Sequence, residues 1–303
     1  MKYVFWGTPE FAAIVLEKLI SVGMPPAAVV CNPDRPVGRK KIITPPPTKV
    51  LAEKYGIQIL QPEKFNEDFK KEVYDLKPDF AVVAAYGKII PKSVIELFPK
   101  GVIGVHPSLL PKYRGASPIQ SAILGGETET GVTLYMLDEK MDNGPVLEAR
   151  SKKLEARVTY LQLQTELAKL GGELLVEMFP KFVEGNIAPQ AQDERGATFT
   201  KKFVTQDGFV DEKDLNAALA SDAQKAIEID RKIRAFNPEP GSWTYANSLS
   251  EWAHANKPFD AAPFNQIQGR QGKRVKLLEA KIENGRLVLT KTQEEGGKPK
   301  TLV

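Results

Sequence analysis

Lys2-Tyr-Val-Phe-Trp6 is a short apolar run, and Gly7-Thr-Pro-Glu10 leads it directly into an amphipathic stretch from Phe11 to Ile20. Apolar residues without alternation describe a strand buried on both faces, and an apolar stripe at helical spacing describes a helix laid against its sheet. Thr8 and Pro9 read as the helix N-cap and a first-turn proline. Ala27-Ala-Val-Val-Cys31 and Phe80-Ala-Val-Val-Ala84 repeat the strand pattern, with a second amphipathic stretch, Phe65 to Leu76, between them. Alternating β and α of this kind is expected to form an α/β domain built on a doubly wound, mainly parallel sheet.

At 303 residues the chain exceeds one small core and suits two domains. Leu161 to Phe182 is periodic enough for a long helix closing the first domain, with Gly171-Gly172 as the place for a bend. Glu184 to Arg195 has loop character. Beyond Pro240-Gly241 the pattern changes to strand-like pieces, Arg274 to Ile282 and Arg286 to Lys291, joined by the hairpin signal Glu283-Asn284-Gly285. This periodicity supports antiparallel β and suggests a small barrel. The expected division is a catalytic domain over 1–188, a linker over 189–206 and a smaller β domain over 207–303.

Composition narrows the function classes. With 42% hydrophobic and 26% charged residues the chain has the balance of an ordinary soluble protein. No apolar run approaches the roughly 20 residues of a membrane helix, and the amino terminus opens into a strand rather than a signal peptide, so no membrane and a cytoplasmic address are expected. The single cysteine, Cys31, excludes an internal disulfide and reads as a buried strand-end residue. Two histidines far apart, His106 and His254, leave little for a metal site, and none is expected. Gly7-Thr-Pro-Glu10 is not a Gly-x-Gly-x-x-Gly fingerprint, which argues against a nicotinamide cofactor.

The candidate chemistry lies where Gly101-Val-Ile-Gly-Val-His-Pro-Ser-Leu-Leu-Pro111 breaks from strand into turn. His106 there falls at the carboxyl end of a strand, the edge at which open α/β sheets bind ligands. Met136-Leu-Asp-Glu-Lys-Met-Asp142-Asn-Gly-Pro145 is a carboxylate-bearing loop able to fold back beside it, so His106 and Asp142 form a candidate acid/base pair. Taken alone, Ser108-Leu-Leu-Pro111 also reads as a turn with packed leucines, and Tyr113-Arg114-Gly115 as a turn whose arginine pairs with a structural carboxylate. Arg35, Arg39, Lys40 and Lys41 also read as a solvated basic loop, and Arg270, Lys273, Arg274 and Lys276 as a charged β surface. The net charge of +4 permits a polyanionic partner without specifying one.

These segments together resemble the formyltransferases that use 10-formyltetrahydrofolate, a family marked by Asn-x-His, Ser-Leu-Leu-Pro, Arg-Gly and Asp-x-Gly. His106, Ser108-Leu-Leu-Pro111, Arg114-Gly115 and Asp142-Asn-Gly144 agree with that pattern, whereas position 104 is Gly in place of the catalytic asparagine. The resemblance is strongest to members acting on methionyl-tRNA and covers nearly the whole chain. It includes Phe5 to Ala12, Asn32-Pro-Asp-Arg-Pro-Val-Gly-Arg39-Lys-Lys41, Ala85-Tyr-Gly-Lys-Ile-Ile-Pro91 and Ile233 to Gly241.

The resemblance implies a Rossmann-like sheet, an OB-like β-barrel as the second domain, and formyl transfer to the α-amine of initiator methionyl-tRNA by a monomer. It implies that His106 donates a hydrogen bond or proton to the developing oxyanion. Asp142 would orient His106, hold a water or take the amine proton. Folate would be held by Ser108, Leu109, Leu110 and Pro111, with Tyr86, Gly87 and Ile89 suiting a flat pterin ring. The tRNA would meet Arg35, Arg39, Lys40 and Lys41, with Arg270, Lys273 and Arg274 available for phosphates in the second domain. Two rival readings are an amino-sugar or other small-amine formyltransferase and a non-catalytic binder of folate or tRNA.

Gly104 sharpens the question. Losing one oxyanion donor costs about 2.7 to 4 kcal/mol of transition-state stabilisation. A water or a nearby amide such as Asn143 replaces the missing group, or the enzyme is crippled, or the glycine is an introduced substitution. If the missing amide limits turnover, Gly104→Asn is expected to raise formyl transfer at least about tenfold.

Overall fold

The structure is a computed structural model describing residues 1–38, 40–246 and 272–302. By internal contacts the chain forms two compact units, one of residues 1–118, 128–154 and 162–201, the other of 119–127, 155–161 and 202–303. The elements begin with β1 (Tyr3–Gly7), α1 (Glu10–Ser21), β2 (Ala28–Val30), β3 (Arg35–Val37), β4 (Ile42–Thr44), α2 (Pro47–Lys54) and β5 (Gln58–Leu60). There follow α3 (Glu67–Asp75), β6 (Phe80–Ala84), the single turn α4 (Lys92–Ile95), β7 (Val102–His106), β8 (Arg114–Gly115) and α5 (Pro118–Gly125). Then come β9 (Glu129–Met136), β10 (Val146–Lys153), α6 (Tyr160–Val183) and β11 (Phe199–Thr200).

The first unit is a mixed α/β sheet in the order β10-β9-β7-β6-β1-β2-β5. From β5 to β7 the pairings are parallel, while β9 and β10 join antiparallel at the other end. The chain moves outward from β1 to β2 and β5, then crosses to β6 on the opposite side of β1, so the strand order reverses there. Such a reversal opens a crevice at the carboxyl ends of the parallel strands, the end at which Gly7, Ala84 and His106 terminate β1, β6 and β7. All five residues of β1 are buried, and the Trp6 ring meets Phe69, Tyr86 and Phe98 edge-on.

One local expectation is corrected. Thr8 is not the cap of α1; Pro9 is, with no side-chain hydrogen bond, and Thr8 Oγ1 instead accepts from the Asn32 amide at 3.2 Å and its Nδ2 at 3.1 Å. That hydroxyl ties the ends of β1 and β2 together, a tertiary demand that outweighs capping. Helix α6 runs unbroken through Gly171-Gly172. A Cβ on Gly171 would come within 2.9 Å of Val105 Cγ1, and the glycine therefore lets the helix settle closely on the sheet.

The second unit is a separate, smaller sheet unit. It carries α7 (Glu212–Ala220) and α8 (Ala223–Phe236), which the sequence reading did not single out, and strands β12 (Ser242–Ala246), β13 (Lys273–Glu283), β14 (Arg286–Glu294) and β15 (Lys300–Thr301). The strands pair antiparallel in that order, and Leu215, Ile229 and Ile233 of the helices share a core with Val275, Leu277, Leu287 and Leu289. Asn284 and Gly285 have φ of 50° and 76°, the left-handed pair of a two-residue hairpin turn.

The division also differs from the expected one, because residues 189–201 belong to the first unit rather than to a linker. There β11 pairs with β8, and a 3-10 turn spans Glu194–Gly196. Among the described residues no helix is long and apolar enough to cross a membrane.

Within the second unit a buried carboxylate holds distant segments together. Asp230, 3% exposed, is paired to Arg234 at 2.9 Å and to Arg157 at 2.8 Å. Removing one partner of a buried charge network leaves cations without compensation. Asp230→Ala is expected to lower the unfolding free energy by about 3 kcal/mol. Urea denaturation followed by far-UV circular dichroism checks it.

Candidate functional site

His106 is the last residue of β7 and is 6% exposed. Its Nε2 lies 2.8 Å from the Tyr113 carbonyl oxygen, and Nδ1 lies 3.6 Å from Asp142 Oδ2. A carbonyl only accepts, so the proton belongs on Nε2, and Nδ1 then faces the carboxylate as the basic nitrogen. In that tautomer Nδ1, 3.6 Å from Asp142 Oδ2, is the ring nitrogen without a proton. While that proton is committed to Tyr113, Nε2 has none to offer another acceptor.

Asp142 sits in the loop after β9 with φ of 51°, a left-handed conformation that aspartate tolerates better than most residues. Four contacts determine its direction. Oδ2 accepts from the Gly115 amide at 2.7 Å and faces His106, Oδ1 accepts from the Tyr135 hydroxyl at 2.6 Å, and its carbonyl accepts from Gln192 Nε2 at 2.9 Å. Burial, and then the negative charge of Asp142, push the Tyr135 phenol well above its usual range, so it stays a neutral donor.

Behind this carboxylate stands Arg114, 2% exposed. It donates to Gln192 Oε1 from Nε at 3.0 Å and Nη2 at 2.7 Å, and to both carboxylate oxygens of Glu194 at 3.1 and 2.9 Å. Gln192 Nε2 in turn donates to the carbonyls of Asp142 and Gly144 at 2.9 and 2.8 Å. The guanidinium, through its hydrogen bonds, holds the Glu194 carboxyl below its ordinary range. Gln192, Glu194 and Tyr135 were missed in the sequence, since the first two lie in a polar loop and the third reads as strand filling.

Ser108 is fully buried, with its hydroxyl donating to the Lys112 carbonyl at 2.6 Å, while Thr133 Oγ1 donates to the Ser108 carbonyl and accepts from the Leu110 amide. Its side chain shapes the loop and is closed to a ligand; Leu109, Leu110 and Pro111 are half-buried beside it. Tyr86 is likewise in the core, its ring 5.2 Å from Trp6. In the same turn Gly87 has φ of 80°, and Ile89 is 90% exposed.

Arg35 pairs with Glu63, and Lys40 and Lys41 are exposed in the turn between β3 and β4. Lys273 is exposed, whereas the Arg274 guanidinium lies 4.2 Å from the centre of the Trp243 ring, an internal cation–π contact. Arg39, His254 and Arg270 lie outside the described residues. The Cys31 thiol is buried and pushed up to about 11 by that burial. Among the described residues no group of three histidine, cysteine or acidic side chains is placed to hold a metal ion.

The geometry at 104 puts a steric condition on Gly104→Asn. A Cβ there would lie 2.3 Å from Cε1 and 2.5 Å from Cζ of Tyr135, so an asparagine meets the tyrosine ring before it meets any ligand. Asn143 Nδ2 commits one of its two protons to Asp138 at 3.1 Å.

Comparison with known proteins follows the same outline. A family model described as formyl transferase covers residues 1–179, and one described as formyl transferase, C-terminal domain, covers 223–302. Methionyl-tRNA formyltransferase of Halorhodospira halophila is 36% identical over 99% of this chain and 94% of its own. That of Chloroflexus aurantiacus is 41% identical over 81% of this chain and 76% of its own. Among solved structures, an N-formyltransferase from Helicobacter canadensis in complex with folinic acid and dTDP-3-aminofucose aligns with a TM-score of 0.56 at 20% identity, covering 82% of this chain and 89% of that one. HypX from Aquifex aeolicus in complex with tetrahydrofolic acid aligns with a TM-score of 0.62 at 16% identity over 100% of this chain and 46% of that one. These two structural likenesses show a shared fold.

Gln192→Ala removes two donors from the Asp142 loop and an acceptor from buried Arg114. It is expected to cost about 1 to 3 kcal/mol of stability and to speed exchange of the Gly115 amide proton. Urea unfolding and amide hydrogen exchange measure the two effects.

Proposed function

The chain belongs to the methionyl-tRNA formyltransferase family, and from that premise we propose that it transfers the formyl group of 10-formyltetrahydrofolate to the α-amine of methionine on initiator tRNA. The observation that carries this reading is the pairing of His106 with Asp142 at the carboxyl edge of the parallel strands. In the reaction the amine nitrogen bonds to the formyl carbon, the bond from that carbon to the folate nitrogen breaks, and one proton passes from the amine to the folate nitrogen. His106 Nδ1 takes that proton, Asp142 stabilises the charged ring, and the imidazolium returns the proton to the leaving nitrogen.

Half-buried Leu109, Leu110 and Pro111 and exposed Ile89 supply the apolar surface that suits a flat pterin ring, with Gly87 leaving the backbone open beside it. Tyr86 and Ser108 support these turns from the core. Lys40, Lys41 and Lys273 are exposed cations suited to phosphates, and Arg35 joins them if it leaves Glu63; Arg39 and Arg270 belong to the same reading. Trp243 already occupies Arg274, which makes it a weaker phosphate partner.

The finer architecture is part of the same proposal. The reversal of strand order at β1 supports a Rossmann-like first domain, and the antiparallel β12 to β15 supports an OB-like barrel engaging tRNA within 207–303. The protein acts in this reading as a cytoplasmic monomer.

A single-turnover assay with methionyl-tRNA and 10-formyltetrahydrofolate tests the proposal. The chain is expected to yield formylmethionyl-tRNA, with His106→Ala and Asp142→Asn each slowing transfer by about a hundredfold or more. Product on a nucleotide-linked amino sugar but not on the aminoacyl ester moves the acceptor to the amino-sugar class. Salt-sensitive tRNA binding without product at stoichiometric protein leaves the non-catalytic binder.

A further inference from the structure

Gly104 and Tyr135 lie directly opposite each other in the antiparallel pairing of β7 with β9. A side chain at 104 and the ring at 135 compete for one volume, since even a Cβ would stand 2.3 Å from the ring. The tyrosine is therefore admitted only because its cross-strand neighbour is glycine. Phenylalanine would fill the same space, so packing alone does not require the hydroxyl.

That hydroxyl is committed to Asp142 Oδ1 at 2.6 Å, on a residue only 4% exposed. The other carboxylate nearby, Asp138, already receives the Asn143 side chain at 3.1 Å and the Lys140 amide at 2.9 Å. Asp142 belongs to no strand or helix, and its backbone is left-handed, so its carboxylate is aimed by hydrogen bonds rather than by a regular element. Gly115 holds the oxygen that faces His106, and Tyr135 holds the other, which stops the carboxylate from rotating about its own axis.

We propose that Tyr135 is a positioning residue for the formyl transfer, acting through Asp142, and that Gly104 and Tyr135 are a functional pair in which the glycine provides the space the tyrosine needs. The proposal rests on the transferase reading above. Gly104, which stands where the resemblance calls for asparagine, is then half of a different solution at the same edge of the site.

Tyr135→Phe retains the ring and removes only the hydroxyl. It is expected to slow single-turnover formyl transfer at least about tenfold, the scale of one lost charge-assisted hydrogen bond, with folate affinity changed less than twofold. Gly104→Ala, by displacing the ring, is expected to lose rate too, and Gly104→Ala/Tyr135→Phe to lose no more than Tyr135→Phe alone. With two histidines in the chain, the His106 imidazole resonances are readily followed, and Tyr135→Phe is expected to shift them together with the Gly115 amide. A Tyr135→Phe rate within twofold of the unaltered chain, or losses that multiply in the double variant, overturns the proposal. If the unaltered chain makes no product, the functional reading fails instead, and unmoved His106 and Gly115 resonances in Tyr135→Phe still overturn the pairing by themselves.

Discussion

A carboxylate in an irregular loop has to be aimed by its neighbours, and much of this site follows from how Asp142 is aimed. Its two oxygens are divided between the Tyr135 hydroxyl on one side and the Gly115 amide with His106 on the other. Each partner comes from a separate element. Strand β9 brings Tyr135, the loop after β7 leads to Gly115, and the end of β7 brings His106. Because β7 and β9 are adjacent in one sheet, their relative positions are rigid, and a charge pair built across them inherits that rigidity.

A second layer keeps the loop itself in place. Arg114 is a buried cation, and burying a guanidinium is unfavourable unless its donors are satisfied. Gln192 and Glu194 satisfy four of those donor contacts, and Gln192 transmits the arrangement to the backbone at Asp142 and Gly144. The need to satisfy Arg114 thus explains why a polar segment that reads as a linker is captured by the first unit and adds β11 to β8. Gly144 completes the loop, where a Cβ would lie 1.8 Å from the Met136 carbonyl oxygen and only glycine allows that approach.

The tautomer of His106 follows from the same construction. With Nε2–H directed at the Tyr113 carbonyl, the nitrogen facing Asp142 is the one able to gain a proton. In the proposed transfer that nitrogen accepts the proton beside a carboxylate. That arrangement suits an amine that must lose a proton as it is acylated.

Local order determined a good deal. The apolar runs at β1, β2 and β6, the long periodic helix α6 and the Asn284-Gly285 turn are properties of contiguous residues, and each appears where periodicity and turn chemistry place it. His106 and Asp142 were likewise singled out from their own surroundings in the chain, and the fold brings them within 3.6 Å. What only the tertiary structure decided is who stands across from whom: Tyr135 over Gly104, Gln192 and Glu194 around Arg114, and Ser108 and Tyr86 turned inward. Spacing along the chain encodes the faces of single elements, whereas these neighbours are separated by up to about eighty positions and are joined by strand register and by the demand of buried polar groups for partners.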